Sequence, residues 1–252
     1  MTTAGLPLGA GLPLGAELLL GAVVLLGAGV QRMSGVGFAL VAAPGLVLLV
    51  GPGQGVLLSN CAAGAISAIG LCGGGWRQVR MAAMLPLVLA AACTVPVGAL
   101  VADRLPERAL LISIGVTVTA AVLLVIGGVR VAALRGRGGA VVAGAASGFL
   151  NSAAGVGGPA VSLYAMNAAW PVREFVPNAQ FYGVLVNAFS VAVKGPPQLA
   201  APGWLLTAAG IAGGAVAGRL LGSRLPDHHV RRLVLSLALV GGLLVLGRGL
   251  LD

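Results

Sequence analysis

Two short polar segments rich in glycine interrupt otherwise apolar stretches of this sequence. The first covers residues 31–37 and reads Gln-Arg-Met-Ser-Gly-Val-Gly, and the second covers 151–159 and reads Asn-Ser-Ala-Ala-Gly-Val-Gly-Gly-Pro. A helix that restarts after such a break exposes N-terminal backbone amides, which carry partial positive charge and suit an anion. Amide and hydroxyl side chains beside them add neutral hydrogen bonds. The chemistry that these segments favour is the binding of a small anion.

The residues of the breaks that we predict to contact this ligand have a polar side chain or a glycine backbone. They are Gln31, Arg32, Ser34, Gly35, Gly37, Asn151, Ser152, Gly155, Gly157 and Gly158. Arg32 is the cation expected deepest in the apolar region, where it would favour an anion, or would instead mark a helix end at the membrane surface. Close helix packing is the alternative role for the glycines, although packing does not require the polar neighbours.

Four further polar residues lie on the helices that follow the breaks. Asn60 and Ser67 are two helical turns apart on one predicted helix, and Gln180 and Asn187 are two turns apart on another. Each pair therefore points to one side of its helix. These side chains are predicted either to bind the substrate or to hydrogen-bond between helices.

Catalytic chemistry lacks its usual residues. The two histidines, His228 and His229, lie in a predicted loop, so a buried serine or cysteine has no neighbouring base. The three cysteines form no C-x-x-C pair, and no metal-ligand motif occurs. We expect no enzyme, no metal and no cofactor.

The elements that position these residues must be membrane helices. Of 252 residues, 58% are hydrophobic and 8% are charged, and the mean hydropathy is +1.04. Soluble domains carry about 25% charged residues. With about 20 residues per crossing, seven to ten segments fit. The sequence therefore predicts an all-α, polytopic transmembrane bundle in the plasma membrane.

The chain also contains signs of an internal duplication. Gly35-Val36-Gly37 recurs at 155–157, and Arg104-Leu105-Pro106-Glu107 recurs as an R-L-P-acid segment at 224–227, both 120 residues later. We predict one transmembrane domain over 1–252, with repeat one at about 17–131, a linker at about 132–138 and repeat two at about 139–250. Each repeat would open with a broken or re-entrant helix.

Three uninterrupted helices are predicted after each break, in the same order in both halves. They are 54–73, 79–102 and 107–131, followed by 174–194, 203–222 and 228–248.

The net charge of +9 comes from arginines scattered between apolar runs, which indicates loop charges rather than nucleic-acid binding. The arginines that favour a cytoplasmic side are Arg77, Arg80, Arg130, Arg135 and Arg137.

The residues Gly148-Phe149-Leu150 and Ala154 to Pro159, with the weaker Ser34 to Gly37, resemble the TauE/SafE family of sulfite exporter-like membrane proteins. The resemblance implies a plasma-membrane permease for sulfite, sulfonates or related sulfur-containing anions. The first half departs from the family pattern, because it has Phe38 where the second has Gly158. Its break is expected to be the less open of the two.

The sequence thus predicts an alternating-access transporter for a small sulfur-containing anion. An anion channel and a non-transporting membrane scaffold are the alternatives. The expected partners are the small anionic substrate and the lipid bilayer, without nucleic acid. Association into a homo-oligomer is left open.

Overall fold

The computed structural model describes residues 12–72, 74–127, 134–222, Arg224 and 227–251. Ten α-helices and one short 3-10 turn are present there, with no strand, which confirms the all-α class. The helices are α1 (Leu14–Ser34), α2 (Phe38–Val50), α3 (Pro52–Leu71), α4 (Met81–Arg104), α5 (Glu107–Ile126), α6 (Gly136–Ala154), α7 (Gly158–Asn167), α8 (Val172–Lys194), α9 (Ala201–Gly222) and α10 (Asp227–Leu251).

The predicted helices agree closely with the observed ones, and α3, for example, begins and ends two residues before its prediction. Two differences occur near the predicted linker and loop. Helix α6 begins inside the linker, at Gly136, and α10 includes His228 and His229 in its first turn. Arg130, linker residues 132–133, and residues 225–226 of the second R-L-P-acid segment lie outside the described residues.

Six of the described helices are long and apolar enough to cross a membrane: α1, α3, α4, α5, α9 and the part of α10 from Arg232 to Leu251. Helices α2 and α7 have 13 and 10 residues, which is too few for about 30 Å of hydrocarbon. Helix α8 is 23 residues long but carries several polar side chains. The protein is a multi-pass membrane protein.

Both broken helices turn back on themselves. At the first break, α2 runs antiparallel to α1, because Gly27 meets Ala42 while Gly45 meets Val23. Helix α7 likewise follows α6 after a gap of three residues and packs against it. The short helices α2 and α7 are therefore the returning arms of two helical hairpins.

Two helices of the second half, α8 and α10, run opposite to α3 and α5, which lie 120 residues earlier in the chain. Gly64 of α3 lies against Asn187 of α8, and Gly70 lies against Gln180, so α3 and α8 are antiparallel. Helices α5 and α10 are antiparallel as well, since Arg108 at the start of α5 reaches the carbonyl groups at the end of α10.

Each broken helix packs along a helix of the other half. Helix α1 runs parallel to α9, where a Cβ on Gly210 or Gly218 would lie 2.7 or 2.5 Å from the carbonyl oxygen of Gly21 or Gly29. Helix α6 packs parallel to α4 through similarly close glycines. Such glycines let membrane helices approach closely. A duplicated chain would give this arrangement, in which the broken helix of each half packs against a helix of the other half. The duplication itself stays a prediction.

The two ends of the bundle differ in charge. The starts of α4 and α8 lie together, joined by an ion pair of 2.9 Å between Arg80 and Glu174. Described arginines at this arginine-rich end are Arg32, Arg77, Arg80, Arg135, Arg137, Arg173, Arg219, Arg224 and Arg232. The described cations at the opposite end are Arg104, Arg108, Lys194 and Arg248.

Candidate functional site

The first break is held by a buried network of hydrogen bonds from three helices. The side-chain amide of Gln31 on α1 donates to the hydroxyl of Ser67 (2.8 Å) and to the amide oxygen of Gln180 (3.3 Å). Gln180 on α8 in turn donates to the carbonyl of Gly35 (2.7 Å). The end of α1 is therefore fixed to α3 and α8 by neutral polar groups.

The second break has a corresponding network. The side-chain amide of Asn151 on α6 donates to the amide oxygen of Asn187 (3.1 Å) and to the hydroxyl of Ser190 (3.0 Å). Asn60 on α3 donates to the backbone carbonyl of Asn151 (3.3 Å). All of these side chains are buried.

The two networks use positions that differ by 120 residues. Gln31 bonds Ser67 in the first, and Asn151 bonds Asn187 in the second. Because Asn60 and Ser67 are seven residues apart, the networks are separated by about 10 Å along α3. The polar stripes predicted on α3 and α8 thus bind the ends of the broken helices.

Glycine makes both breaks possible. Gly35 and Gly155 have positive φ angles of 82° and 73°, the left-handed conformation in which glycine commonly ends a helix. Their amides donate to the carbonyls of Gln31 and Asn151. Gly157 differs, because a Cβ there would lie 2.7 Å from the carbonyl oxygen of Ser147. Close packing therefore requires glycine at 157.

A small cavity of about 60 Å³ lies between the two breaks. Of the predicted ligand-binding residues, those lining it are Gln31, Gly35, Gly37, Ser67, Asn151, Gly158 and Asn187. We call it the polar cavity. The structure thus brings seven of the fourteen predicted residues, from both halves of the chain, to one space.

A second cavity of about 480 Å³ adjoins the first. The two share Val36, Gly37, Ala39 and Gly158 in their linings. Gly222 and Val230, which also line the larger cavity, lie at the arginine-rich end of the bundle. The larger cavity, here called the vestibule, therefore extends from the residues that it shares with the polar cavity to that end.

Comparison with protein families gives one match that spans most of the chain. The family model described as sulfite exporter TauE/SafE matches residues 19–245. The chain belongs to the TauE/SafE family. It is accordingly a membrane transport protein and not an enzyme. The comparisons with curated proteins and with solved structures give no match.

The matched range of this TauE/SafE protein includes both breaks and all fourteen predicted residues. Several of them lie beside the cavities rather than on their walls. Asn60, Ser152, Gly155, Gly157 and Gln180 are in the networks or in the helix ends. Ser34 lines the vestibule alone, whereas Gly37 and Gly158 line both cavities. The Ser34 hydroxyl donates to the carbonyl of Val30 (2.8 Å) or of Val36.

Arg32 lines neither cavity of the TauE/SafE protein. It faces α9, where its Cβ is 2.7 Å from the position of a Cβ on Gly218. The cation that does contact a break residue is Lys194, whose ammonium group donates to the carbonyl of Ser152 (3.3 Å). Its place at the end of α8 indicated only a surface lysine, since nothing in the sequence shows that α6 ends beside it.

Two serines were also missed. Ser190 follows Asn187 by three residues, so helical spacing would have placed both on one face. Ser147 donates to the carbonyl of Gly157 (2.7 Å) and ties the second break to α6. Among the described residues, no group of three or more His, Cys, Asp or Glu is placed to hold a metal.

Some buried polar atoms have no hydrogen-bond partner among the described residues. They include the amide oxygen of Asn60 and the hydroxyl groups of Ser59 and Ser152, all on helices that meet at the second break. Most buried polar groups in proteins are paired. These atoms are therefore candidates for contact with a polar ligand.

Proposed function

We propose that this protein moves a small sulfur-containing oxyanion, such as sulfite or an organosulfonate, across the plasma membrane by alternating access. The observation that carries the proposal is the polar cavity between two helix breaks, where amide, hydroxyl and glycine groups from both halves lie among small apolar side chains. Family membership supports the class of substrate. The substrate and the mechanism are inferences from these features.

The size of the polar cavity suits one small oxyanion. Since a water needs about 10–15 Å³ of such space, the cavity of about 60 Å³ has room for on the order of four waters. Sulfite has four heavy atoms. The amides of Gln31 and Asn151 already donate within the two networks, so they would exchange those bonds for bonds to the anion. Such neutral donors bind an anion less strongly than charged ones.

Access from one end at a time is supported by the vestibule. It reaches the polar cavity from the arginine-rich end, and an excess of arginine favours the cytoplasmic side. Toward the opposite end, the second network and the bond from Lys194 to Ser152 lie beside the cavity. We infer an inward-facing conformation in which these contacts close the outer side.

The arrangement of helices supports two repeats of opposite orientation. Helices α3 and α8 are antiparallel, as are α5 and α10, and each is the counterpart of the other under the 120-residue offset. Inverted repeats let the same chain adopt two conformations with the access side exchanged. Opening the outer side would break the second network and leave the first as the inner closure.

Gly158 offers a direct test. It lines both cavities, and a Cβ added to it meets no atom within 4 Å, so Gly158→Val fills the passage without disturbing the fold. Gly53 is the matched control, because it lies in the first turn of α3 and a Cβ there is equally free. Uptake of radiolabelled sulfite into proteoliposomes is the measurement.

We expect Gly158→Val to lower the initial rate at least tenfold and Gly53→Val to leave it within twofold. Equal rates for the two variants would place the pathway elsewhere. The unchanged protein should show saturable uptake and accelerated exchange against internal sulfite. Conductance without saturation would instead indicate a channel.

A further inference from the structure

We propose that the vestibule binds a hydrocarbon group of the substrate, so that this transporter prefers an organosulfonate with an apolar chain or ring over bare sulfite. The inference rests on the proposed function, because it assigns the anionic head group to the polar cavity. The inference adds the chemical class of the rest of the substrate, which is a hydrocarbon group. The observation behind it is the contrast between two adjoining cavities.

The vestibule wall is mainly apolar. Large hydrophobic side chains line it, including those of Leu40 on α2, Phe175 and Val176 on α8, Val234 on α10, and Trp170 between α7 and α8. Its volume of about 480 Å³ is eight times that of the polar cavity. Ligand sites commonly have volumes of about 300–1,000 Å³, apolar walls and a few placed polar groups.

The side-chain amides of the combined space lie at one end, and the polar side-chain groups of the vestibule are the hydroxyls of Ser34 and Ser162 and the indole of Trp170. Gln31, Ser67, Asn151 and Asn187 line only the smaller cavity, whereas the cavities meet at Val36, Gly37, Ala39 and Gly158. A ligand that fills both spaces must therefore have a compact polar head and a larger apolar tail. An organosulfonate has this shape.

A bare oxyanion gains little from this vestibule. Sulfite is strongly hydrated, and apolar walls offer no hydrogen bonds to replace its water. No described cation lines the vestibule either. The apolar surface contributes binding free energy only to a substrate that brings apolar surface of its own.

The test is the affinity of the full-length protein, in lipid nanodiscs, for linear alkanesulfonates from methanesulfonate to hexanesulfonate. Each buried methylene contributes about 0.8 kcal/mol, and about 1.4 kcal/mol is tenfold in affinity. We expect the Kd to fall by about fourfold with each added methylene. Isothermal titration calorimetry measures it, with 1-alkanols of equal length as the neutral controls.

A Kd that stays constant or rises with chain length, with methanesulfonate bound and sulfite transported, would overturn the inference and leave the proposed function standing. Absence of binding for every sulfonate and for sulfite would refute the proposed function instead. A series in which the alkanols bind as tightly as the sulfonates would also overturn the inference, because the vestibule would then be a lipid groove unconnected to anion binding.

A pair of variants locates the tail. Val234 lines the vestibule, and its neighbour Leu233 is 48% exposed on the outer face of α10. We expect Val234→Phe to weaken hexanesulfonate binding at least tenfold while methanesulfonate changes less than twofold. Leu233→Phe should change neither. Equal weakening of both ligands by Val234→Phe would contradict a tail site and indicate a general distortion.

Discussion

Gln180 and Asn60 occupy equivalent positions 120 residues apart, but their side-chain amides are satisfied to different degrees. Gln180 accepts from Gln31 (3.3 Å) and donates to the carbonyl of Gly35 (2.7 Å). Asn60 makes one bond, to the carbonyl of Asn151 (3.3 Å), and its amide oxygen has no partner among the described residues. Replacing each by an apolar residue of similar size should therefore change stability in opposite directions.

The Gln180→Met change removes two hydrogen bonds and leaves the Gly35 carbonyl without its side-chain donor. Hydrogen bonds between membrane helices average about 0.6 kcal/mol each, and an orphaned buried carbonyl costs about 1–3 kcal/mol. The free energy of unfolding should fall by roughly 2–4 kcal/mol. At about 2–4 °C per kcal/mol for a chain of this size, the Tm falls by roughly 4–16 °C.

The Asn60→Leu change removes one long hydrogen bond, worth about 0.6 kcal/mol, together with an unpaired oxygen whose burial costs about 1–3 kcal/mol. The net effect is a stabilisation of roughly 0.4–2.4 kcal/mol, or about 1–10 °C in Tm. Because the side-chain amide of Asn60 donates to the carbonyl of Asn151 at the second break, we expect transport to fall at least tenfold in spite of the higher Tm.

Thermal unfolding in detergent and sulfite uptake by proteoliposomes measure the two effects on the same preparations. A Tm for Asn60→Leu that falls as far as that for Gln180→Met would refute the reasoning, because the Asn60 oxygen would then be paired. Normal transport by Asn60→Leu would remove this residue from the site while leaving the stability argument intact.

Three further predictions concern the contacts around the site. Lys194→Met should raise the KM for sulfite at least fivefold, because it removes a cation beside the second break. Arg108→Met, which removes a cation bound to helix carbonyls at the same end, should leave the KM unchanged. Equal KM values for the two variants would exclude Lys194 from the pathway. Gly218→Leu should lower the Tm through a clash with α1 worth about 1–3 kcal/mol, while Gly213→Leu, which meets only a flexible side chain, changes it little. The exposed thiol of Cys72 should react with a membrane-impermeant maleimide in inside-out vesicles but not in intact cells, and the reverse pattern would invert the proposed orientation.

Much of the fold was predictable because the membrane constrains each segment locally. Every backbone group in hydrocarbon must be paired within its own helix, so apolar length and glycine-rich interruptions indicate where helices begin and end. The breaks at 35–37 and 155–157 follow from this rule, since α1 and α6 end before them and α2 and α7 begin after them. The difference between Phe38 and Gly158 was also readable: Phe38 is fully buried, whereas Gly158 lines both cavities.

The composition of the candidate site was predictable only in part. Offset and helical spacing identified Gln31, Ser67, Asn151 and Asn187 as polar residues on related faces, and these four do line one cavity. The same reasoning left Arg32 either as a buried cation favouring an anion or as the mark of a helix end, and the structure places it in the last turn of α1. Its direction depends on how α1 is rotated against α9, and nothing local in the sequence fixes that rotation.

The sequence by itself determined an all-helical membrane protein with two broken helices and polar residues beside each break, because hydropathy and glycine content act within single segments. Only the tertiary structure decided that the halves run in opposite directions, that Lys194 rather than Arg32 meets a break, and that an apolar vestibule opens from one end. These properties depend on contacts between helices that are far apart in the chain. Small residues occur at many positions and would allow the helices to pack in several ways, and contacts between particular side chains decide which of these forms.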